Sequence, residues 1–216
     1  MAQIFPKWTN KAPTYVLIGI ILISVVSFML IDYYASPMYT DVGYRPIQPV
    51  PYSHKIHAGD LGLDCRFCHT GVEISPVASL PPTQTCMTCH NMIKPDSDKL
   101  KLVRESIANE TPIEWVRVHK SPDYVYFDHS AHINVGVGCA SCHGSVDQME
   151  VVTQDQPLSM GWCLDCHRDP DLHLRPLKEV TNMTWSAPAN QREFATKQKE
   201  LFDIKAPITD CTGCHR

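Results

Sequence analysis

Phe127-Asp128-His129-Ser130-Ala131-His132, then Ile133-Asn134-Val135-Gly136-Val137-Gly138, then Cys139-Ala140-Ser141-Cys142-His143 run on without a break, and their reading decides the fold. An aromatic residue, a His-x-x-His pair and a glycine-containing connector lead into a Cys-x-x-Cys-His pentapeptide. The same order occurs upstream: Tyr52-Ser53-His54-Lys55-Ile56-His57, then Leu61-Gly62-Leu63-Asp64, then Cys65-Arg66-Phe67-Cys68-His69. Each copy is followed by a further pentapeptide, Cys86-Met87-Thr88-Cys89-His90 after the first and Cys163-Leu164-Asp165-Cys166-His167 after the second. Another, Cys211-Thr212-Gly213-Cys214-His215, stands near the end of the sequence, and with it all 10 cysteines are placed.

Cys-x-x-Cys-His is the attachment signal for c-type haem. Two thiols add across the two vinyl groups of one porphyrin, and the intervening residues set the sulfur separation. The adjacent histidine then lies under the iron as its proximal ligand. A disulfide framework has no need of a histidine after every second cysteine. Zinc sites do not require that fixed histidine either, and a thioredoxin-like motif would occur once, near a βαβ pattern. The sequence therefore predicts five haem c groups. They would be held through Cys65, Cys68, Cys86, Cys89, Cys139, Cys142, Cys163, Cys166, Cys211 and Cys214, with His69, His90, His143, His167 and His215 as proximal ligands.

Charge narrows the partners. The polypeptide carries a formal −4. Ten propionates would add about −10 against about +5 from five ferric porphyrins, so the loaded protein is acidic where propionates are exposed. Nucleic acid wants a basic surface and is excluded as a partner. No Ser/His/Asp triad, P-loop or dinucleotide fingerprint is present.

Toward the N-terminus, Tyr15 to Ile31 is an uncharged apolar run. With Ala12-Pro13-Thr14 it is long enough to cross a hydrocarbon core of about 30 Å. Lys7 and Lys11 precede it and Asp32 and Asp41 follow. The lysines belong on the cytoplasmic side, which puts the remainder on the periplasmic, outer face. A cleaved signal peptide would have a shorter apolar region and a small-x-small site, and Asp32-Tyr33-Tyr34 is a poor one. The expected organisation is a cytoplasmic tail at 1–12, a transmembrane anchor at 13–34 and a proline-rich extended linker at 35–53. A pentahaem domain follows at 54–216, with di-haem modules 52–90 and 127–167 and the fifth haem at 211–215.

The expected fold class is a mostly irregular and α-helical multihaem cytochrome c. Aromatic residues are only 8% of the chain, so the haems must form much of the core themselves. Asp96-Ser97-Asp98 is expected to be the N-cap cluster of a helix with Leu100, Val103 and Ile107 on its apolar face, and another helix is expected at about Gln191 to Phe202, with Phe194, Leu201 and Phe202 on one face. Tyr124-Val125-Tyr126-Phe127 is β-prone but short.

Six histidines lie outside the pentapeptides: His54, His57, His119, His129, His132 and His173. Residues i and i+3 on one helical turn share a face, so each His-x-x-His pair is expected to serve two haems flanking that turn. His54 is assigned to the Cys65 haem and His57 to a neighbour, with the Cys86 haem first in line. His129 goes to the Cys139 haem and His132 to a neighbour, with the Cys163 haem first in line. His119 is a fifth candidate. His173 is weaker, with a surface or propionate-binding role as its other reading. Met160 or Met183 is a candidate to replace histidine at one haem, which would raise that haem's potential.

The repeated His-x-x-His plus Cys-x-x-Cys-His resembles class III cytochromes c. The whole chain, with its anchor and the stretches Pro82-Thr83-Gln84-Thr85-Cys86-Met87-Thr88-Cys89-His90 and Pro157-Leu158-Ser159-Met160-Gly161-Trp162-Cys163, is similar to the pentahaem cytochrome c subunit of alternative complex III. That resemblance implies a quinol-oxidising membrane complex. The subunit there relays electrons to a monohaem cytochrome or a soluble acceptor. Its neighbours are an iron–sulfur subunit resembling molybdopterin oxidoreductases and polytopic quinol-binding subunits. Two other readings compete. A small stand-alone anchored quinol dehydrogenase would place a haem at the membrane surface, against which the proline-rich linker argues. A multihaem nitrite or hydroxylamine enzyme would need an open iron, yet every pentapeptide ends in histidine and the spare histidines suffice for all five irons.

Overall fold

The computed structural model describes residues 4–215. The first three residues of the expected cytoplasmic tail, and Arg216, lie outside the described residues. The chain divides into two compact units at Asp41/Val42.

The first unit is dominated by one helix, Ala12–Ala35, preceded by the short turn Lys7–Lys11. Pro13 sits in its first turn, where a missing N–H removes no helical bond. Its 24 residues span about 36 Å at 1.5 Å each. None of them is buried, and the mean hydropathy of its apolar window is 2.6. A helix apolar on every side is long and apolar enough to cross a membrane. At its end the rings of Tyr33, Tyr34 and Tyr39 cluster with centroids 4.9 to 5.7 Å apart.

In the second unit the secondary structure is short helices. Each pentapeptide contributes to one: Cys65–Cys68, Thr83–His90, Ala140–His143, Met160–Arg168 and Cys211–Cys214. Side-chain caps start several of these turns. Asp64 accepts the Arg66 N–H, Ser159 the Trp162 N–H and Asp210 the Gly213 N–H. Such caps satisfy donors that the first helical turn leaves free. Among the described residues there is no strand. The β-prone Tyr124–Phe127 run yields one isolated bridge, Val125 to His215, and Val137 pairs with Leu174 in another.

The polypeptide's own core is small. Val137, Leu174 and Ala195 form a cluster with Val135 against it. Val50, Val103, Ile133 and Val180 are also buried. Large apolar side chains near the pentapeptides stay exposed, among them Phe67, Ile74 (84%), Val77, Leu80 and Met92 (89%).

Three expectations need correction. The helix Gln191–Leu201 forms, but its buried residues are Gln191, Ala195 and Gln198, while Leu201 is 77% exposed and Phe202 is also exposed. This helix docks on loop backbone, whose carbonyls need donors. The Gln191 side-chain amide donates to the Asp171 and Leu174 carbonyls, and that of Gln198 to Val135 and Arg175. Second, the cluster at Asp96–Asp98 starts a short 3₁₀ turn, Asp98–Leu100, before the helix Lys101–Ala108, and no side chain there caps it. Val103 is buried as the apolar spacing required. Third, the proline-rich segment, expected to be an extended linker lying on a partner or on the haem domain, is helical at its start. Ala35 is helical and Pro37–Thr40 forms a further turn. From Val42 onward the segment is bound into the second unit: Gly43 N–H donates to Gln154 O, Gln154 N–H to Tyr44 O, and Gln48 exchanges two hydrogen bonds with the Val116 backbone.

Candidate haem sites

The two His-x-x-His pairs are built alike. His54 opens the wide turn Lys55–Asp60, and the Ser53 carbonyl accepts the His57 Nδ1–H at 2.8 Å. His129 opens the helix His129–Ile133, capped by Asp128, whose carbonyl accepts the His132 Nδ1–H at 2.7 Å. One aromatic ring touches both imidazoles of each pair. Tyr52 lies 4.8 Å from His54 and 4.4 Å from His57; Phe127 lies 4.7 Å from His129 and 4.7 Å from His132.

Four more imidazoles are oriented through Nδ1. His69 donates to Ser79 O, His90 to Ile93 O, His129 to Pro76 O and His167 to Ile208 O, at 2.7 to 2.8 Å. An Nδ1–H held by a carbonyl fixes the tautomer and leaves the Nε2 lone pair for a metal.

The rings then face one another in pairs. His54 lies 6.5 Å from His69 with the planes 3° apart, and His129 lies 6.4 Å from His143 at 5°. His57 lies 6.1 Å from His90 at 63°, and His132 lies 6.0 Å from His167 at 41°. Parallel rings in contact would be about 4 Å apart. Two imidazoles on opposite sides of one metal have centroids about 6 Å apart, allowing about 2 Å for each metal–nitrogen bond and about 1 Å to each ring centre. Each His-x-x-His therefore faces two different pentapeptide histidines across a gap of ligand width.

No family model matches the chain. A curated relative does. Over 97 residues the chain is 35% identical to a protein from Nitratidesulfovibrio vulgaris (strain Hildenborough) named "Menaquinone reductase, multiheme cytochrome c subunit". The match covers 44% of this chain and 45% of that protein, so the chain spans less than half the length of the curated relative. The relative is a multihaem cytochrome c subunit by name, and the paired imidazoles agree with haem ligation.

The electrostatics suit iron ligation, which needs neutral imidazoles. Burial, reinforced by neighbouring imidazoles, pushes His54 down to about 4 and His143 to about 3. Burial also lowers His132 and His119. As free thiols before attachment, Cys68, Cys86, Cys163 and Cys166 are raised by burial, and Cys142 is pushed up to about 12. Among the described residues, the buried side-chain atoms without a hydrogen-bond partner include three nitrogens, His54 Nδ1, His119 Nε2 and Arg175 Nε. A porphyrin with propionates is the kind of group that fits, since it brings acceptors for buried donors and apolar faces for the exposed side chains around the pentapeptides.

The remaining candidates lie elsewhere. The His119 ring stands edge-on against His143 at 4.4 Å, too close for opposite faces of one porphyrin. His173 follows the turn Pro170–Leu172 and is half-buried. Met160 is exposed at the start of its helix, and Met183 is half-buried in a loop. At the fifth pentapeptide, the Tyr124 ring lies 5.7 Å from His215. Sequence reasoning missed Arg175, a buried cation 4.8 Å over the Trp185 ring that donates to Asn182 O at 2.9 Å. An arginine in a loop gives no periodic signal.

Proposed function

We propose that this chain is a membrane-anchored pentahaem cytochrome c that carries electrons on the periplasmic face of a cytoplasmic membrane, within a quinone-linked complex of the alternative complex III type. The observation that carries this reading is the set of four facing imidazole pairs at 6.0 to 6.5 Å. When bound, haem c supplies an iron that cycles between Fe(III) and Fe(II). The chain's part is to hold it. At four of the sites the cysteine pairs would hold a porphyrin covalently, the facing imidazoles would ligate its iron, and the Nδ1–H bonds would fix ring orientation. Closed coordination at those four sites would keep reorganisation low and leave no position for a substrate there, which suits a carrier rather than a catalyst.

In such a complex the neighbours would be the iron–sulfur, molybdopterin-oxidoreductase-like subunit, the polytopic quinol-binding subunits and a monohaem cytochrome. The relative's name supports a second reading, in which electrons run toward menaquinone; both directions use the same carrier.

Imidazole orientation makes the ligation testable. Near-parallel planes give rhombic low-spin ferric haems, and crossed planes give a more anisotropic signal with a larger maximum g value. The angles of 3° and 5° against 63° and 41° predict two haems of each class in the EPR spectrum of the oxidised protein. A spectrum dominated by high-spin iron, or with all haems in one class, contradicts the assignment.

The anchor is tested by fractionation. Full-length protein is expected to stay with membranes through alkaline carbonate. A form whose own helix Ala12–Ala35 is replaced by a cleavable export signal is expected to be matured and soluble. Release of the full-length chain by carbonate would contradict a spanning helix.

A further inference from the structure

We infer that the five haem-attachment sites form a single row in the order second, first, third, fourth, fifth, with the sites of Cys86–His90 and Cys211–His215 at its two ends. The inference rests on the haem-ligation reading above and goes beyond it.

The order follows from which chain segments touch. The second and first sites share one turn: His57 faces His90, His54 faces His69, and Tyr52 contacts both imidazoles of that turn. First and third sites are tied by three contacts. Asp64, the residue before Cys65, accepts the Thr181 hydroxyl at 3.0 Å, and the adjoining Val180 carbonyl accepts the Cys139 N–H at 2.9 Å. The loop that follows His69 holds the distal imidazole facing His143, through Pro76 O and His129 Nδ1 at 2.8 Å. Third and fourth sites share the His129–His132 turn and its Phe127 ring. Fourth and fifth sites meet where His167 Nδ1 donates to the carbonyl of Ile208, in the segment leading into Cys211. Exposure agrees: Cys89 and Cys211 are the exposed cysteines, while the other eight are partly buried.

The row is therefore not in sequence order. The first and third sites are neighbours, and the second and fourth are separated by both of them. Partners that donate or accept electrons would meet the chain at the second and fifth sites.

Paired variants of the full chain in native membranes test this. His54→Ala, His57→Ala, His129→Ala and His132→Ala are each expected to free one ferrous iron for nitric oxide, whose EPR signal is read as the difference from the reduced wild type treated in the same way. With nitric oxide bound at both sites, the His54→Ala/His129→Ala pair should show strong spin–spin broadening, and the His57→Ala/His132→Ala pair at least several-fold weaker coupling. Equal coupling in the two pairs, as sequence order would give, overturns the row while leaving the ligation intact. Single variants that bind no more nitric oxide than the wild type overturn the ligation itself. If the alanine forms do not mature, methionine at the same positions keeps six ligands. Redox titration should then show non-additive midpoint shifts for the 54/129 pair and additive shifts for 57/132, and the reverse pattern overturns the order.

Discussion

His129→Ala is expected to leave one haem of the mature protein five-coordinate, high-spin when ferric, and able to bind one equivalent more of carbon monoxide than the wild type when reduced. The His129 ring lies parallel to His143 at 6.4 Å, with its Nδ1–H held by the Pro76 carbonyl. Alanine removes the only imidazole that faces His143 at this spacing. His119 cannot step in without moving, because its ring stands edge-on to His143 at 4.4 Å. A methyl group leaves a pocket one ligand wide, which a small diatomic fills. Carbon monoxide titration of the reduced variant checks the result; unchanged low-spin spectra and no added binding would remove His129 from the ligand set.

Gly138→Ala is expected to be a strongly disruptive small change in the connector. An added Cβ would fall inside the Arg175 guanidinium. That group is buried over Trp185 and donates to the Asn182 carbonyl, so it cannot swing aside without breaking that part-buried bond. Overpacking and the lost hydrogen bond together cost about 2–4 kcal/mol, or a fall in Tm of about 5–10 °C for a unit of this size. The double variant Gly138→Ala/Arg175→Ala should lose less than the sum of the two single changes, because the clash disappears with the guanidinium. Additive losses in thermal melts of the holoprotein would show that the glycine is not kept for Arg175.

Much of this architecture was legible because covalent chemistry dictates spacing. A Cys-x-x-Cys-His cannot be shifted by one residue and still hold both vinyl positions, so the candidate sites are legible without a fold. The apolar run at Tyr15–Ile31 was equally plain, since a helix apolar on all sides has few uses. The helix at Gln191 was placed within one residue, but its buried face was misjudged. Burial there follows hydrogen-bond demand from the carbonyls of Asp171, Leu174, Val135 and Arg175, which no hydrophobic pattern reports. The backbone acceptors that orient His69, His129 and His167 are contributed by Ser79, Pro76 and Ile208, remote in sequence. Any residue type can supply a carbonyl, so these partners leave no trace in composition or spacing. Tyr52 and Phe127 were visible only as a recurring aromatic before each pair; their contact with both imidazoles needed coordinates.

The measurement that bears most directly on a five-haem carrier is the intact mass of the mature chain under denaturing conditions, where only covalent groups remain. The account predicts a mass above that of the 24.3 kDa polypeptide by five haems, with no free thiol among the 10 cysteines. Four or fewer haems on fully matured protein, or a free pair at any Cys-x-x-Cys-His, would contradict it.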